Sequence, residues 1–566
     1  MIDEVVFAAL GGTFSDDPNA PRITITIAPG ALSDDARLRV RLIAPQGQLV
    51  PKQTRASRNY EMRLQREGRG PGALRLSGPM KIALAVDAPP VHPQVPEVAF
   101  LFQDHWVRLS ASFFRHSSHT VVALTEKTEG VFGAIHRRLR TERGEPVQRG
   151  ERLFMQETFG DQRFFGGVLG LHKVLNKVAP VDAVALGVQV DVARVPQPIV
   201  DTLTGDDFDA KQAALHSPAV TRALIKAGAV VGVKGFYADP DTKRMRSVGL
   251  TCALCHVTVE PTPFQLSADG DPVMLPIGPL RLDGVPNTAM NAGAILALTP
   301  TAQALGLADT LNGWGPGRFD VRALDVPGVD RNPLEDGVDN PTEYPPLWNF
   351  VDLSAQQYRI GWDGLFKDDG TRNHALASLT EAVFDLVFHS NGALGIPPFR
   401  IDGGNGGTLP PELSVVPPPA LVAGLIESEI ERPGNRVVPP RKLLDLEAWM
   451  RSIASPAPDP ADFDETLAER GFELFHGEAA CSRCHRSPEF TGPGLHVITA
   501  TPPAGGLAAG IKVAPLRGIG KTAPYFHDGS APDLAAVVRR YVDRGAPVPA
   551  LSDEDQAAIV EYLKSL

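Results

Sequence analysis

The sequence predicts a multidomain protein, with an N-terminal all-β sandwich followed by two mostly α-helical domains carrying long loops. Three observations predict it. Strand-like alternation is confined to about the first quarter of the chain. Two Cys-x-x-Cys-His frames stand far apart, at 252–256 and 481–485. A helix-periodic apolar segment follows each frame at a distance. At 566 residues the chain exceeds what one hydrophobic core serves, and its 54 Gly and 52 Pro favour long connections.

Taken in order, "RITITIAPGAL" alternates Ile and Thr from Ile23 to Ile27 and breaks at Pro29-Gly30. "LRVRLI" and "MKIALAV" alternate likewise, and "HTVVAL" is a further apolar run. Turn clusters between them predict a sandwich over 1–133. The charged stretch 136–152 reads as a linker. "FFGGVLGLHKVLNKV" and "KQAALHSPAVTRALIKAGAVV" have helical spacing, within a domain expected over 134–460. Residues 257–440, rich in Pro, Gly and Asp, are expected to be mostly loops. "RKLLDLEAWMRSI" predicts a helix ended by a Pro-rich stretch, and a last domain is expected over 461–566. "LLDLEAWMRSI" and "AAIVEYLKSL" both set an aromatic among small and charged residues. They predict two tandem units, each with a closing helix packed on an opening one.

A net charge of −11 argues against a nucleic-acid surface or an anionic-membrane patch. Hydrophobic content of 43% and charged content of 21% are ordinary for a globular protein. No apolar run reaches the roughly 20 residues of a transmembrane helix. The start, "MIDEVVFAALGGTF", lacks the basic region and apolar length of a signal peptide.

All 4 cysteines belong to the two frames, Cys252/Cys255/His256 and Cys481/Cys484/His485. A structural zinc site wants four ligands gathered together, and here the pairs are about 229 positions apart. A thioredoxin-like dithiol does not explain a histidine after both pairs. Covalent haem c explains every residue: two thiols add to the porphyrin vinyl groups, and the adjacent imidazole becomes the iron's axial ligand. Two covalently bound haems are therefore expected, in two cytochrome-c-like domains. Haem also needs a cation for its propionates, and the planar fork of Arg517 suits a carboxylate.

The order of motifs resembles the bacterial di-haem cytochrome c peroxidase/MauG superfamily. Cys252-Ala-Leu-Cys-His256 comes first. "PPLWNF" (345–350) is similar to the family's Pro-Thr-x-x-Asn segment, and Trp362-Asp363-Gly364 to its Trp-Asp-Gly. Cys481-Ser-Arg-Cys-His485 follows, then "APLRGIGKTAPYFHDGS" (514–530), similar to the family's C-terminal signature. The resemblance covers roughly 245–566. The long segment between the frames is more like the di-haem rubber oxygenases, a related branch. "GGTFSDDPNAPRITITIAPGAL" resembles small β-sandwich modules related to the ankyrin and netrin-receptor type, which implies a docking accessory standing apart from the chemistry.

The resemblance implies that Trp362 lies between the haems and that peroxide or dioxygen reacts at the His256 haem. No histidine occurs from 257 to 373, so no local distal ligand follows that frame. His374 and His389 are the candidates for acid–base help, with His389 the catalytic candidate beside Trp362. No Glu stands at 389–395, where the family's catalytic Glu segment falls. For the second iron, the family's methionine position counts to Tyr541, fourteen residues after His527. His527 itself is the other candidate ligand. No Met follows the second frame.

Two functional classes are thus expected. One is a haem oxidoreductase of the peroxidase type, taking hydrogen peroxide or dioxygen and exchanging electrons with a small cytochrome or cupredoxin. The other is a non-catalytic electron-transfer cytochrome docked through its β-sandwich. Haem attachment of this kind implies a periplasmic or exported protein.

Overall fold

The computed structural model describes the chain except residues 50–52, 68–73, 75, 110, 140–142, 265–270, 280, 320–340, 351–361, 363–399, 402–436, 439, 498–509 and 546–547. Twelve strands form the expected sandwich. One sheet runs in the order Ile2–Val6, Ala36–Ile43, Asn59–Arg66, Glu129–Arg138, Gln94–Phe102, His105–Arg108, with Gln53–Arg55 also paired to Glu129–Arg138. The other runs Phe113–Arg115, Thr120–Thr125, Met80–Ala85, Ile23–Ile27, Gly12–Ser15. All these pairings are antiparallel. Ile23, Ile25 and Ile27 point inward, as their period of two requires, and meet Met62, Ile82, Leu84 and Phe132 between the sheets.

The segment 136–152, expected as a linker, is regular structure at both its ends. The strand Glu129–Arg138 continues through its start, and helix α1 (Glu145–Gln156) takes up its end. Charge misled the reading: Glu97 pairs with Arg137 at 3.0 Å, and Asp445 with Arg149 at 2.7 Å, so these cations face partners as well as water.

Helix α2 (Pro440–Ser452) packs on α1, and both helices belong to one apolar cluster with Phe154, Leu446, Trp449, Leu347 and Trp348. Helices α3 (Glu465–His476), α4 (Leu534–Arg544) and α5 (Asp553–Lys564) build the C-terminal unit around Phe472, Phe475, Phe490, Tyr562 and Val538. Asp464, Asp533 and Ser552 cap these three helices through side-chain bonds to the first-turn amides of Leu467, Ala536 and Asp555. The expected opening-and-closing pairs are both present. A Cβ on Gly150 of α1 would overlap the Asp445 main-chain oxygen and crowd Trp449. A Cβ on Gly471 of α3 would overlap the Ala558 oxygen and crowd Tyr562. In each pair, then, a glycine lets two helices touch, and the aromatic lies four residues beyond the contacted carbonyl.

The sandwich is joined to the C-terminal unit. Phe113 stacks on Phe472 with centroids 6.1 Å apart and lies 6.4 Å from Tyr562. Lys81 reaches Glu469 at 3.0 Å and Glu473 at 2.7 Å, and Arg115 grips Glu469 at 2.5 Å. Arg108 donates to Ser487 Oγ at 2.9 Å, two residues after the second frame's histidine. Expected as a module apart, the sandwich is instead a packed wall of this unit. No described helix is long and apolar enough to cross a membrane.

Candidate haem centres

The first frame sits on a single turn, Ala253–His256, with Cys252 at its N-cap, between the strands Ser247–Leu250 and Val257–Val259. That turn carries the second thiol and the imidazole and begins at the first thiol, as thioether attachment with axial ligation requires. The Nδ1 of His256 lies 3.1 Å from the main-chain oxygen of Pro345. A carbonyl can only accept, so Nδ1 carries the proton and Nε2 is left as a lone-pair donor. Burial pushes the His256 imidazole down to about 4, against a smaller upward effect of the Pro345 carbonyl. It is neutral at pH 7, the state that binds iron. Tyr344 closes the side of the ring, its centroid 6.3 Å from that of His256.

The second frame opens on a 3-10 turn, Cys481–Arg483. Here His485 Nδ1 faces two carbonyls, Phe490 at 2.9 Å and Ala514 at 3.1 Å, which fix the same tautomer. Burial pushes this ring, too, down to about 4. Phe475 of α3 lies 6.4 Å from it. Burial raises the thiols of Cys252, Cys255 and Cys481 to about 12, so none behaves as the activated thiolate of a redox dithiol. Among the described residues no group of three or more His, Cys, Asp or Glu side chains converges on a metal-binding point. Paired thiols, a tautomer-locked imidazole and apolar walls all fit haem c at each frame.

Trp362 lies between the two proximal segments. Its indole Nε1 donates to the Glu343 main-chain oxygen at 2.9 Å, two residues before Pro345, the partner of His256. Its own carbonyl accepts from the Lys512 amide at 2.8 Å, two residues before Ala514, the partner of His485. Nearby bonds tie the halves further: Trp348 Nε1 to the Arg517 oxygen at 3.1 Å, and Asn349 Nδ2 to Glu489 at 2.8 Å. Asn349, of the Pro-Pro-Leu-Trp-Asn-Phe segment, adopts φ 58°, a left-handed conformation that Asn tolerates well.

Arg517 is partly buried and has protein partners: it donates to the Pro488 oxygen at 2.7 Å, pairs with Glu489 at 3.7 Å and lies over Phe490. Tyr541 projects from α4, 6.2 Å from Phe526, and burial first, then the thiols of Cys481 and Cys484, holds its phenol well above the usual range. His527 is buried, and its main-chain oxygen accepts from the Glu343 amide at 2.8 Å. His374 and His389 lie outside the described residues.

Two charged residues at this centre escaped the sequence reading. Glu343 is 4% exposed, and neither carboxylate oxygen has a hydrogen-bond partner among the described residues. Burial pushes it up to about 8, although Arg318 pulls the other way. Lys512 is 6% exposed, and burial pushes its ammonium down to about 7. Neither residue lies in a recognisable pattern; only the Lys512 position, two residues before the C-terminal signature, could have drawn notice.

The C-terminal unit is cytochrome-c-like. Residues 510–544 match the family model described as RoxA-like, cytochrome c-like. Over 99 residues the chain is 34% identical to the methylamine utilization protein MauG of Methylorubrum extorquens. That match covers 15% of this chain and 28% of the relative, so the chain spans under a third of that relative's length. Among solved structures, the chain is similar to a MauG-like protein associated with microbial copper homeostasis. The identity is 22%, over 22% of this chain and 56% of that one, with a TM-score of 0.18. It is also similar to hydrazine synthase of Kuenenia stuttgartiensis, at 21% identity over 31% and 70% of the two chains, TM-score 0.20. These two matches are consistent with a chain of the di-haem cytochrome c peroxidase/MauG/RoxA type.

Proposed function

We propose that this protein is a di-haem oxidoreductase that takes peroxide or dioxygen at the His256 centre and exchanges electrons through the His485 centre. Bound haem iron supplies the redox chemistry and the site where the small oxidant binds. The chain's residues do the rest. His256 and His485 each offer an Nε2 lone pair, their Nδ1 protons held by carbonyls, which keeps both donors aimed and basic. Trp362 places an aromatic side chain between the segments bearing these histidines, and its two hydrogen bonds are the observation that carries the reading. Tyr541, or His527 in its place, would supply a second protein ligand to a haem held at the second frame. The proximity of Tyr541 to the frame's thiols favours the phenol. Two haems, a partner of the small cytochrome or cupredoxin type and an exported location belong to this proposal. So do the domain limits 1–133, 134–460 and 461–566.

The test is an optical and EPR titration of the oxidised holoprotein with cyanide. One centre is expected to respond strongly and the other weakly, because an open iron position binds small ligands. If both irons are six-coordinate with protein ligands and inert to cyanide, the enzyme reading fails and an electron carrier docked through its sandwich takes its place.

A further inference from the structure

We infer that Lys512 is the buried cation that pairs with a propionate of the haem held at Cys481, Cys484 and His485. This rests on the second haem proposed above. The argument is one of charge. Lys512 is 6% exposed, and its Nζ donates to Thr491 Oγ1 at 2.7 Å and to the Val513 oxygen at 2.8 Å. Both acceptors are uncharged, and an ammonium has three N–H bonds to place. No described carboxylate forms an ion pair with it. Among the described residues the buried Arg451 is matched by Glu447, and the partly buried Arg137 and Arg517 by Glu97 and Glu489. An ammonium taken from water without a counter-charge is strongly disfavoured, so a charged Lys512 calls for an anion at that point.

The location identifies the anion. Lys512 lies on the short strand Ile511–Lys512, two residues before the carbonyl that holds His485 Nδ1, and its charge acts on His485. Its amide is bonded to Trp362, so it stands on the side of the second centre that faces the first. Haem c brings two carboxylates to its pocket. Arg517 already has Glu489 and the Phe490 ring, whereas Lys512 has no described protein anion. Removing that cation leaves a propionate charge uncompensated near the iron, which favours the ferric state and lowers the potential.

Spectroelectrochemistry on the full-length holoprotein tests this, with haem content first confirmed by mass. Lys512→Gln keeps an N–H donor for Thr491 and Val513 but removes the charge. It is expected to shift the second haem's reduction equilibrium about tenfold toward ferric, about 59 mV for a one-electron couple, with the first haem unmoved. The propionate bending band in resonance Raman is expected to shift with it. Lys512→Arg is expected to keep both signals near wild type. Should the Gln variant fail to assemble, Lys512→Met carries the same expectation in an apolar pocket. An unchanged potential and Raman band in a charge-removing variant overturn the proposal and leave Lys512 a structural donor. Equal shifts at both haems also overturn it, since they report general loosening. A wild-type protein with no haem at the second frame overturns both this and the two-haem reading.

Discussion

Gly471 of α3 lies directly against the main chain of Ala558 on α5, close enough that no side chain fits between them. Gly150 of α1 stands in the same relation to Asp445 of α2. Two helix pairs, far apart in sequence, use one contact. Gly471→Ala is therefore expected to destabilise the C-terminal unit by about 1–3 kcal/mol, the usual cost of overpacking. Denaturant unfolding measures it; a variant as stable as wild type would show that the helices separate at no cost.

On the proposed reading, the two frames carry two haems per chain. The denatured holoprotein is expected to carry two added haem masses, and Cys481→Ala with Cys484→Ala is expected to remove one of them. A single haem in the unaltered chain rejects the tandem reading.

Trp362→Phe removes the indole that bonds to Glu343 but supplies no iron ligand. Electron transfer between the centres is expected to slow about tenfold or more, ~1.4 kcal/mol in barrier height, while cyanide affinity at the first centre stays near wild type. Stopped-flow spectroscopy separates the two. Equal rates would place the electron path elsewhere.

Tyr541→Phe tests the closure of the second centre. If the phenol is the iron's far ligand, its loss is expected to convert that haem's low-spin signal to high spin and to let cyanide bind at both centres. A low-spin signal that survives assigns the position to His527.

The join between sandwich and C-terminal unit is expected to weaken in acid. Burial raises Glu469, but the hydrogen bond and charge of Arg115, with Lys81, outweigh it and hold the carboxylate below its ordinary range. A depressed folded-state value means the pairing contributes stability above the unfolded value, about 4.3, and loses it as pH falls through the folded one. Phe113→Ala is expected to cost about 3–5 kcal/mol and to disturb the second haem's spectrum more than the first. Spectra indifferent to Phe113→Ala and to deletion of the sandwich would return that domain to a detached accessory.

Much of this was legible beforehand. Ile23, Ile25 and Ile27 announced an inward face because strand geometry has a period of two. The closing helices were legible from their aromatics, Trp449 and Tyr562, but the glycines opposite them were not. A glycine inside a helix signals a close approach without naming its partner. The stretch 136–152 was misread because charge density alone does not distinguish a solvated linker from a strand and helix whose arginines find carboxylates.

By itself, the sequence determined which atoms can bind haem covalently. Thioether formation and axial ligation need two thiols and an imidazole within one turn, and that information is local. Local spacing also determined the strands of the sandwich and the existence of paired helices. Only the tertiary structure decided that Trp362 joins the two proximal segments, that Glu343 and Lys512 are buried beside it, and that Phe113 of the sandwich completes the wall of the C-terminal unit. These relations join residues up to several hundred positions apart. Their physical cause is desolvation and packing, which depend on what surrounds a side chain in space, and no spacing along the chain encodes that.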